Sequence, residues 1–283
     1  DTGVIDGVTY TVVDEAMLRE MVENEQDVTK LATTKVTDMK YMFYDATFNQ
    51  PIGNWDVSNV TNMVYMFNNA SAFNQDIGNW DVSNVTDMVR MFAGSTAFNQ
   101  PIGNWDVSNV TDMRGMFQYT TSFNQPIGNW DVSSVTDMEW MFNSADAFNQ
   151  PIGNWDVSNV TNMFYMFWLA DTFNQPIGDW DVSSVTNMSN MFQETTFNQP
   201  IGNWDVSNVT DMYWMFSYSA FNQPIGNWDV SSVTNMSVMF IDAISYNQDL
   251  SSWSVDGVTN CSQFSQNATS WTLPQPNFTN CTP

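Results

Sequence analysis

Phe73-Asn74-Gln75-Asp76-Ile77-Gly78-Asn79-Trp80-Asp81-Val82-Ser83-Asn84-Val85-Thr86-Asp87-Met88, closed by Met91-Phe92, is the stretch on which the fold turns, because it recurs almost unchanged along the chain. Its tryptophan reappears at Trp55, Trp80, Trp105, Trp130, Trp155, Trp180, Trp204, Trp228 and Trp253, at intervals of 25 residues shortened twice to 24. A fixed period in the twenties is the mark of a solenoid, in which each unit buries its apolar face only against its neighbours. The 283 residues therefore read as one elongated body and not as two globular domains.

Working outward, Lys35-Val36-Thr37-Asp38-Met39 aligns with Asn59-Val60-Thr61-Asn62-Met63 and sets Val28, Leu31 and Thr33 where Ile52, Trp55 and Val57 stand. The repeat region thus runs over 28–265, about ten coils, ending with Leu250, Trp253 and Val255. At the ~4.8 Å spacing of adjacent strands it would be about 45–50 Å long. Residues 1–27 form a separate cap. Val8–Val13 alternates like a strand, and Asp14 is a helix N-cap followed by Leu18, Met21 and Val22 on one face. Residues 266–283, rich in Asn, Thr and Pro, form a C-terminal tail.

Within a unit, Ile52-x-x-Trp55-x-Val57 resembles the strand signature of leucine-rich repeats, with Trp55 and Val57 inward and Asn54, Asp56 and Ser58 outward. Val60, Met63 and Phe67 at i, i+3 and i+7 predict a short helical or 3₁₀ turn on the opposite side. The methionine and phenylalanine columns read as core, not as a cofactor box.

The charge is lopsided, with 31 acidic residues against six basic ones, and no Lys or Arg after Arg114. Nucleic acid and anionic membranes both require clustered cations, so they are poor partners; cationic partners or divalent ions suit the chain better. Histidine is absent, which removes the usual general base and commonest metal ligand. Cys261 and Cys281 read as one disulfide in an oxidising compartment, two buried thiols being the alternative. No apolar run approaches a membrane span, and the chain opens at Asp1, as a mature or trimmed product would.

The unit Ile-x-x-Trp-Asp-Val-Ser-[Asn/Ser]-Val-Thr-[Asp/Asn]-Met-x-x-Met-Phe resembles the BspA-like leucine-rich-repeat surface proteins, the branch also known from mycoplasma-type lipoproteins, over roughly residues 28 to 265. The resemblance implies a right-handed leucine-rich-repeat-like coil, with a parallel β-sheet on one face and short helical turns on the other. It also implies a cell-surface or secreted protein used in adhesion or recognition. It supplies no catalytic residues. The last coil departs from the pattern, with Ser254 in place of the Asp and Cys261 in place of the Met.

The sharpest polar feature is the aspartate of Trp-Asp-Val: Asp56, Asp81, Asp106, Asp131, Asp156, Asp181, Asp205 and Asp229. Stacked carboxylates ~5 Å apart repel by about 0.8 kcal/mol per adjacent pair even in water. Two accounts offset this. Each Asp accepts N–H bonds from the Ser-Asn turn that follows, or cations such as Ca²⁺ sit between neighbouring carboxylates. A threonine column, Thr37 to Thr259, most simply caps the outer helix; ordering of water as on ice-binding solenoids is the weaker reading. Among the Asn-x-Ser/Thr sequons, Asn267 and Asn277 are the glycosylation candidates, since those in the repeats would crowd one another.

The remaining information lies in the residues that break the repeat. Between the two methionines stand Lys40-Tyr41, Val64-Tyr65, Val89-Arg90, Arg114-Gly115, Glu139-Trp140, Phe164-Tyr165, Ser189-Asn190, Tyr213-Trp214 and Ser237-Val238. Large aromatics here and just beyond (Tyr65, Trp140, Phe164, Tyr165, Trp168, Tyr213 and Trp214) read as an interface for a protein, a glycan or a sister subunit in a filament, or as packing along the flank. No Ser-His-Asp set, phosphate loop or paired metal motif is present, and near-identical aspartates cannot divide acid from base work, so an enzyme is not expected. The expectation is an extracellular structural or adhesive rod, the alternative a Ca²⁺-dependent binding module.

Overall fold

Asparagine, aspartate and serine dominate the positions between the buried side chains, and these residues favour turns over extended backbone. In the computed structural model, which describes residues 1–5 and 7–283, the repeats accordingly contain almost no regular secondary structure. The named elements, β1 (Thr2–Ile5), β2 (Val8–Val12), α1 (Glu15–Glu23) and β3 (Leu31–Ala32), all lie at the N-terminal end. The antiparallel β1–β2 pair continues onto β3, the first coil, in parallel. The Oδ1 atom of Asp14 caps α1 by accepting from the Met17 amide at 3.0 Å, and Leu18 is buried beneath it. The strand and helix therefore lie over the open end of the stack, with β1 as an additional strand that was not anticipated.

The coils form a solenoid, but their backbone differs from the expected one. The Ile52–Val57 segment is not a strand. The Trp55 amide donates to the Ile52 carbonyl at 3.0 Å and closes a turn. Two residues on, Asp56 Oδ1 accepts from the Ser58 amide and bends the chain again. Spacing of three between Ile and Trp fits that turn better than a period of two. The parallel pairing falls instead at the Asp/Asn of the Thr-[Asp/Asn]-Met triplet, one residue per coil, from Asp38–Asn62 to Asn235–Asn260.

The expected outer helix is also absent. From Met63 to Ala70 the chain makes successive turns in which Met66, Asn68 and Ala70 donate to Met63, Tyr65 and Phe67. The alternate amides of Met63, Tyr65, Phe67 and Asn69 reach the next coil at Asp87, Val89, Met91 and Ala93, at 2.7–3.1 Å. This geometry puts every fourth residue in the left-handed region, such as Tyr65 and Asn69, each at φ 57°. The threonines consequently cap nothing. Thr86 donates its amide to the Thr61 carbonyl at 3.0 Å, with Oγ1 beside the same oxygen at 3.3 Å, and so joins coil to coil.

Inside, equivalent side chains stack. Phe67 and Phe92 lie 5.5 Å apart and parallel, and Trp80 and Trp105 6.5 Å apart at 4°. Each repeat tryptophan also donates Nε1–H to a carbonyl of the coil before, Trp130 to Ile102 at 3.1 Å for example. Ile, Trp, Val, Met and Phe of the unit are all buried, so the Met and Phe columns are core. Val28, Leu31 and Thr33 of the degenerate first coil are buried in the same way. A second ladder, unforeseen in the sequence, uses the Phe-Asn-Gln triplet. Asn49 Oδ1 accepts from the Asn74 amide and from Gln75 Nε2, both at 3.0 Å, and the pattern repeats down the chain. At the far end Cys261 and Cys281 are disulfide-bonded. The tail keeps pairing beyond the repeats, with the amides of Asp242 and Leu250 donating to Gln266 and Pro274. Among the described residues no helix is long and apolar enough to cross a membrane.

Candidate functional site

The variable pairs gain their position from the same ladder. The second member of each pair donates its amide to the next coil and is left-handed: Tyr41, Tyr65, Arg90, Gly115, Trp140, Tyr165, Asn190, Trp214 and Val238 have φ between 50° and 60°. A left-handed L-residue costs roughly 1–2 kcal/mol, so the conformation is imposed by the coil-to-coil bonds. One consequence is a line of side chains along a single flank, one or two from every coil.

The seven aromatics read from the sequence all lie on this flank, in three groups. Tyr65 stacks on Tyr41 at 5.0 Å, next to Tyr44. Trp140, Phe164, Tyr165 and Trp168 follow one another at 6.1, 4.2 and 4.8 Å between ring centres. Tyr213 and Trp214 meet edge to face at 5.9 Å, and Trp214 stacks on Tyr218. The rings pack on one another along the flank, and Tyr213 is also exposed to solvent. Tyr41, Tyr44, Tyr119 and Tyr218 are each nearly half exposed. Tyr44, Tyr119 and Tyr218 lie just beyond the Met–Phe pair, as Trp168 does.

Two small pairs interrupt the row. At Arg114-Gly115 the column loses its side chain, and Arg90 folds across the gap until its guanidinium carbon lies 4.9 Å from the Trp140 ring centre and 5.9 Å from that of Tyr65. A Cβ on Gly115 would meet Arg90 Cγ at 2.9 Å, so the glycine is what admits the arginine. At Ser189-Asn190 the side chains are buried instead, and Ser189 Oγ and Asn190 Oδ1 have no hydrogen-bond partner among the described residues.

Beside the first gap lies an ionic cluster that sequence reading did not find. Arg114 grips Asp112 through Nε at 3.0 Å and a terminal nitrogen at 2.7 Å, and stands 3.9 Å from Asp137. Burial lifts the carboxyls of Asp87, Asp137 and Glu139 above their ordinary range, assisted at Glu139 by the charge of Asp137. Asp87, Asp112 and Asp137 are bridging residues of the ladder, whose Oδ1 atoms cap the turn, as Asp87 does for the Val89 amide at 3.1 Å and Asp137 for the amide of Glu139, the first residue of a variable pair. Writing the units beneath one another would have shown Asp87, Asp112 and Asp137 in one column, but not that an arginine lies across it.

The Trp-Asp-Val aspartates form an exposed column on a different surface. Oδ1 of Asp56, Asp81, Asp106, Asp131, Asp156 and Asp181 accepts from the serine two residues on, through its amide at 3.1 Å and its hydroxyl at 2.6 Å. Asp205 and Asp229 accept the amide bond from Ser207 and Ser231. The serine hydroxyls, then the amides, hold Asp56, Asp106, Asp131, Asp181 and Asp229 below the usual carboxylate range. Among the described residues no three Asp, Glu or Cys side chains gather as a metal-holding group. Asn267 and Asn277 are both exposed, though Asn267 Nδ2 is engaged with Asp242 Oδ1 at 3.1 Å.

A family model described as a Mycoplasma protein of unknown function, DUF285, matches the chain three times in tandem, over residues 14–113, 95–196 and 173–278. No curated protein matches it.

Proposed function

The chain belongs to the DUF285 family of Mycoplasma repeat proteins, and from that premise we propose that it is an extracellular recognition rod, structural or adhesive, that engages a protein, a glycan or a sister subunit through its variable aromatic flank. The observation that carries this reading is the flank itself. Core and ladder positions repeat the same residues coil after coil, whereas the left-handed column carries Tyr, Arg, Gly, Trp, Asn and Val in turn. Partly exposed Tyr, Trp and Arg are the residues from which interface hot spots are built.

In this reading the repeat is of the BspA-like kind and the coil right-handed, without the regular strand and helix of a leucine-rich repeat, and the molecule works at the cell surface or as a secreted protein. The disulfide supports that location, because such bonds persist in oxidising compartments. The rod is not an enzyme. The Trp-Asp-Val carboxylates are held in turns, the Asp87, Asp112 and Asp137 carboxylates are set along the ladder, and histidine is absent from the sequence. The serine bonds at the aspartate column favour a structural turn over the competing Ca²⁺ column, although a net charge of −25 does attract cations.

The test is a binding screen of the immobilised rod against glycans and secreted or surface proteins, repeated with Trp140→Ala, Tyr165→Ala and Trp214→Ala. Ligands retained by the wild type should lose at least tenfold in affinity with one of the three. Retention of every ligand by all three variants would remove the flank from the account.

A further inference from the structure

Beside the Gly115 gap the flank opens into a groove of about 360 Å³, lined among others by Lys40, Tyr41, Tyr65, Arg90, Asp87 and Trp140. We infer that this groove is a binding site for a carboxylate-bearing saccharide, such as a uronic or sialic acid unit within a glycan. The inference rests on the flank being the recognition surface and names the ligand class for one part of it.

Three observations point to that chemistry. The chain carries six cations against 31 acids, yet Lys40 and Arg90 stand together here and make no ion pair among the described residues. Arg114, the third cation of the groove, is already held by Asp112. The guanidinium of Arg90 lies between the rings of Tyr65 and Trp140 and makes no side-chain hydrogen bond among the described residues, so its planar fork of donors is available to a carboxylate. Glu139 feels the charge of Arg90, and Asp87 that of Lys40, but among the described residues neither cation is in ion-pair contact with an acid, so an arginine clamped by aromatic faces keeps its donors for an incoming carboxylate.

The rest of the lining narrows the ligand further. A peptide adding itself as a strand needs free backbone groups along an edge. The amides of Tyr41, Tyr65 and Arg90 already donate to Val64, Val89 and Arg114 of the next coils. What remains is side-chain chemistry: the phenols of Tyr41 and Tyr65, the carboxylate of Asp87 and one face of aromatic carbon. Those groups suit a ligand carrying many hydroxyls and at most one carboxylate per sugar unit. A polyphosphate or nucleic acid would bring repeated charge against a rod of net charge −25 and is disfavoured. The volume lies at the lower end of the ~300–1,000 Å³ typical of small-ligand sites, which fits a short saccharide segment.

The experiment is calorimetric titration of the full chain with digalacturonic acid and with sialyllactose, using lactose as the neutral comparison, at low and at high salt. Binding of at least one acidic sugar, at least tenfold weaker for lactose, weakened by salt and reduced tenfold or more by Arg90→Gln, is expected. Trp140→Phe, which keeps a ring face, should retain most of the binding. Circular dichroism and the melting midpoint of Arg90→Gln serve to show an intact rod. Equal binding of lactose, or binding unaffected by Arg90→Gln, would overturn the groove as an acid-sugar site. Failure of both acidic sugars to bind would overturn it as well. If the flank variants Tyr165→Ala or Trp214→Ala nevertheless abolish capture of some other ligand, the wider reading of the flank survives that failure. If neither they nor Arg90→Gln affect any ligand, both fall.

Discussion

Replacing Gly128 by alanine should loosen the stack at one seam. In most coils this glycine lies under the carbonyl that precedes the next coil's isoleucine. A Cβ added at Gly226 would come within 2.8 Å of Asp249 O, and at Gly202 within 2.7 Å of Pro224 O. At Gly128 the corresponding Pro151 oxygen is closer still, whereas ordinary contact begins near 3.4 Å. The obstacle is backbone and cannot rotate aside, so the two coils must part locally. The neighbouring bonds most exposed to that movement are Trp155 Nε1 to Ile127 O at 3.1 Å and Gln150 Nε2 to Asn124 Oδ1 at 2.8 Å. Overpacking of this kind costs about 1–3 kcal/mol, and a weakened hydrogen bond adds about 1 kcal/mol. The less flexible unfolded chain of the alanine variant offsets about 0.4–1 kcal/mol. The net loss is therefore about 1–4 kcal/mol, with a smaller loss for Gly226→Ala. Gly3→Ala, where nothing lies within 4 Å, should be nearly neutral. Urea unfolding followed by tryptophan fluorescence would report the midpoints, since the Trp column runs through the affected seam. A midpoint for Gly128→Ala equal to that of Gly3→Ala would refute the claim that the coils are in contact there.

Other outcomes follow from the same geometry. Trp130→Phe removes the Nε1–H bond to Ile102 O and part of a stacked ring, yet leaves that carbonyl its bond from the Trp105 amide; a loss of about 1–3 kcal/mol is expected in the same urea assay. Tyr119, half exposed at φ 57°, should give a gain of about 1 kcal/mol when changed to glycine, read as a raised melting midpoint. Asp137→Asn tests the ladder acids. Because burial raises the folded carboxyl above its unfolded value, the wild type loses stability as pH rises through that interval. The variant should be the more stable at pH 7, and its advantage should shrink toward pH 4; a constant difference across that range would contradict the assigned cause. Addition of Ca²⁺ or EGTA should leave the melting midpoint unchanged if serine bonds alone hold the Trp-Asp-Val aspartates, and a calcium-dependent rise would restore the cation column.

The parts legible in the sequence are those governed by burial. A column of Ile, Trp, Val, Met and Phe at constant spacing has to be a core whatever path the backbone takes, and the degenerate first coil could be aligned on it. The backbone path was harder to read, because Ile-x-x-Trp-x-Val satisfies a strand signature and a turn equally well. What decides between them is Asp56 Oδ1 accepting from Ser58, a local bond that competes with extended pairing. The Phe-Asn-Gln ladder was invisible for a related reason, since Asn74 and Gln75 look like ordinary loop residues until the stacked coils bring them to Asn49. The aromatic flank could be read because its residues break the repeat. The groove could not, because Arg90 and Trp140 belong to coils that are not adjacent, and their meeting depends on the missing side chain at Gly115.

The coil-to-coil ladder has one further consequence, for how such a molecule can change its length. Every coil offers the next the same amides that it received, so a whole coil can be inserted or removed at any seam and the break heals. A partial coil would leave a row of orphaned donors inside the stack. Reach is thus quantised: duplication or loss of a 24- or 25-residue segment in the gene would lengthen or shorten the molecule by one step. The helix-covered start and the disulfide-tied finish would stay as they are, and only the spacing between groups on the flank would be reset.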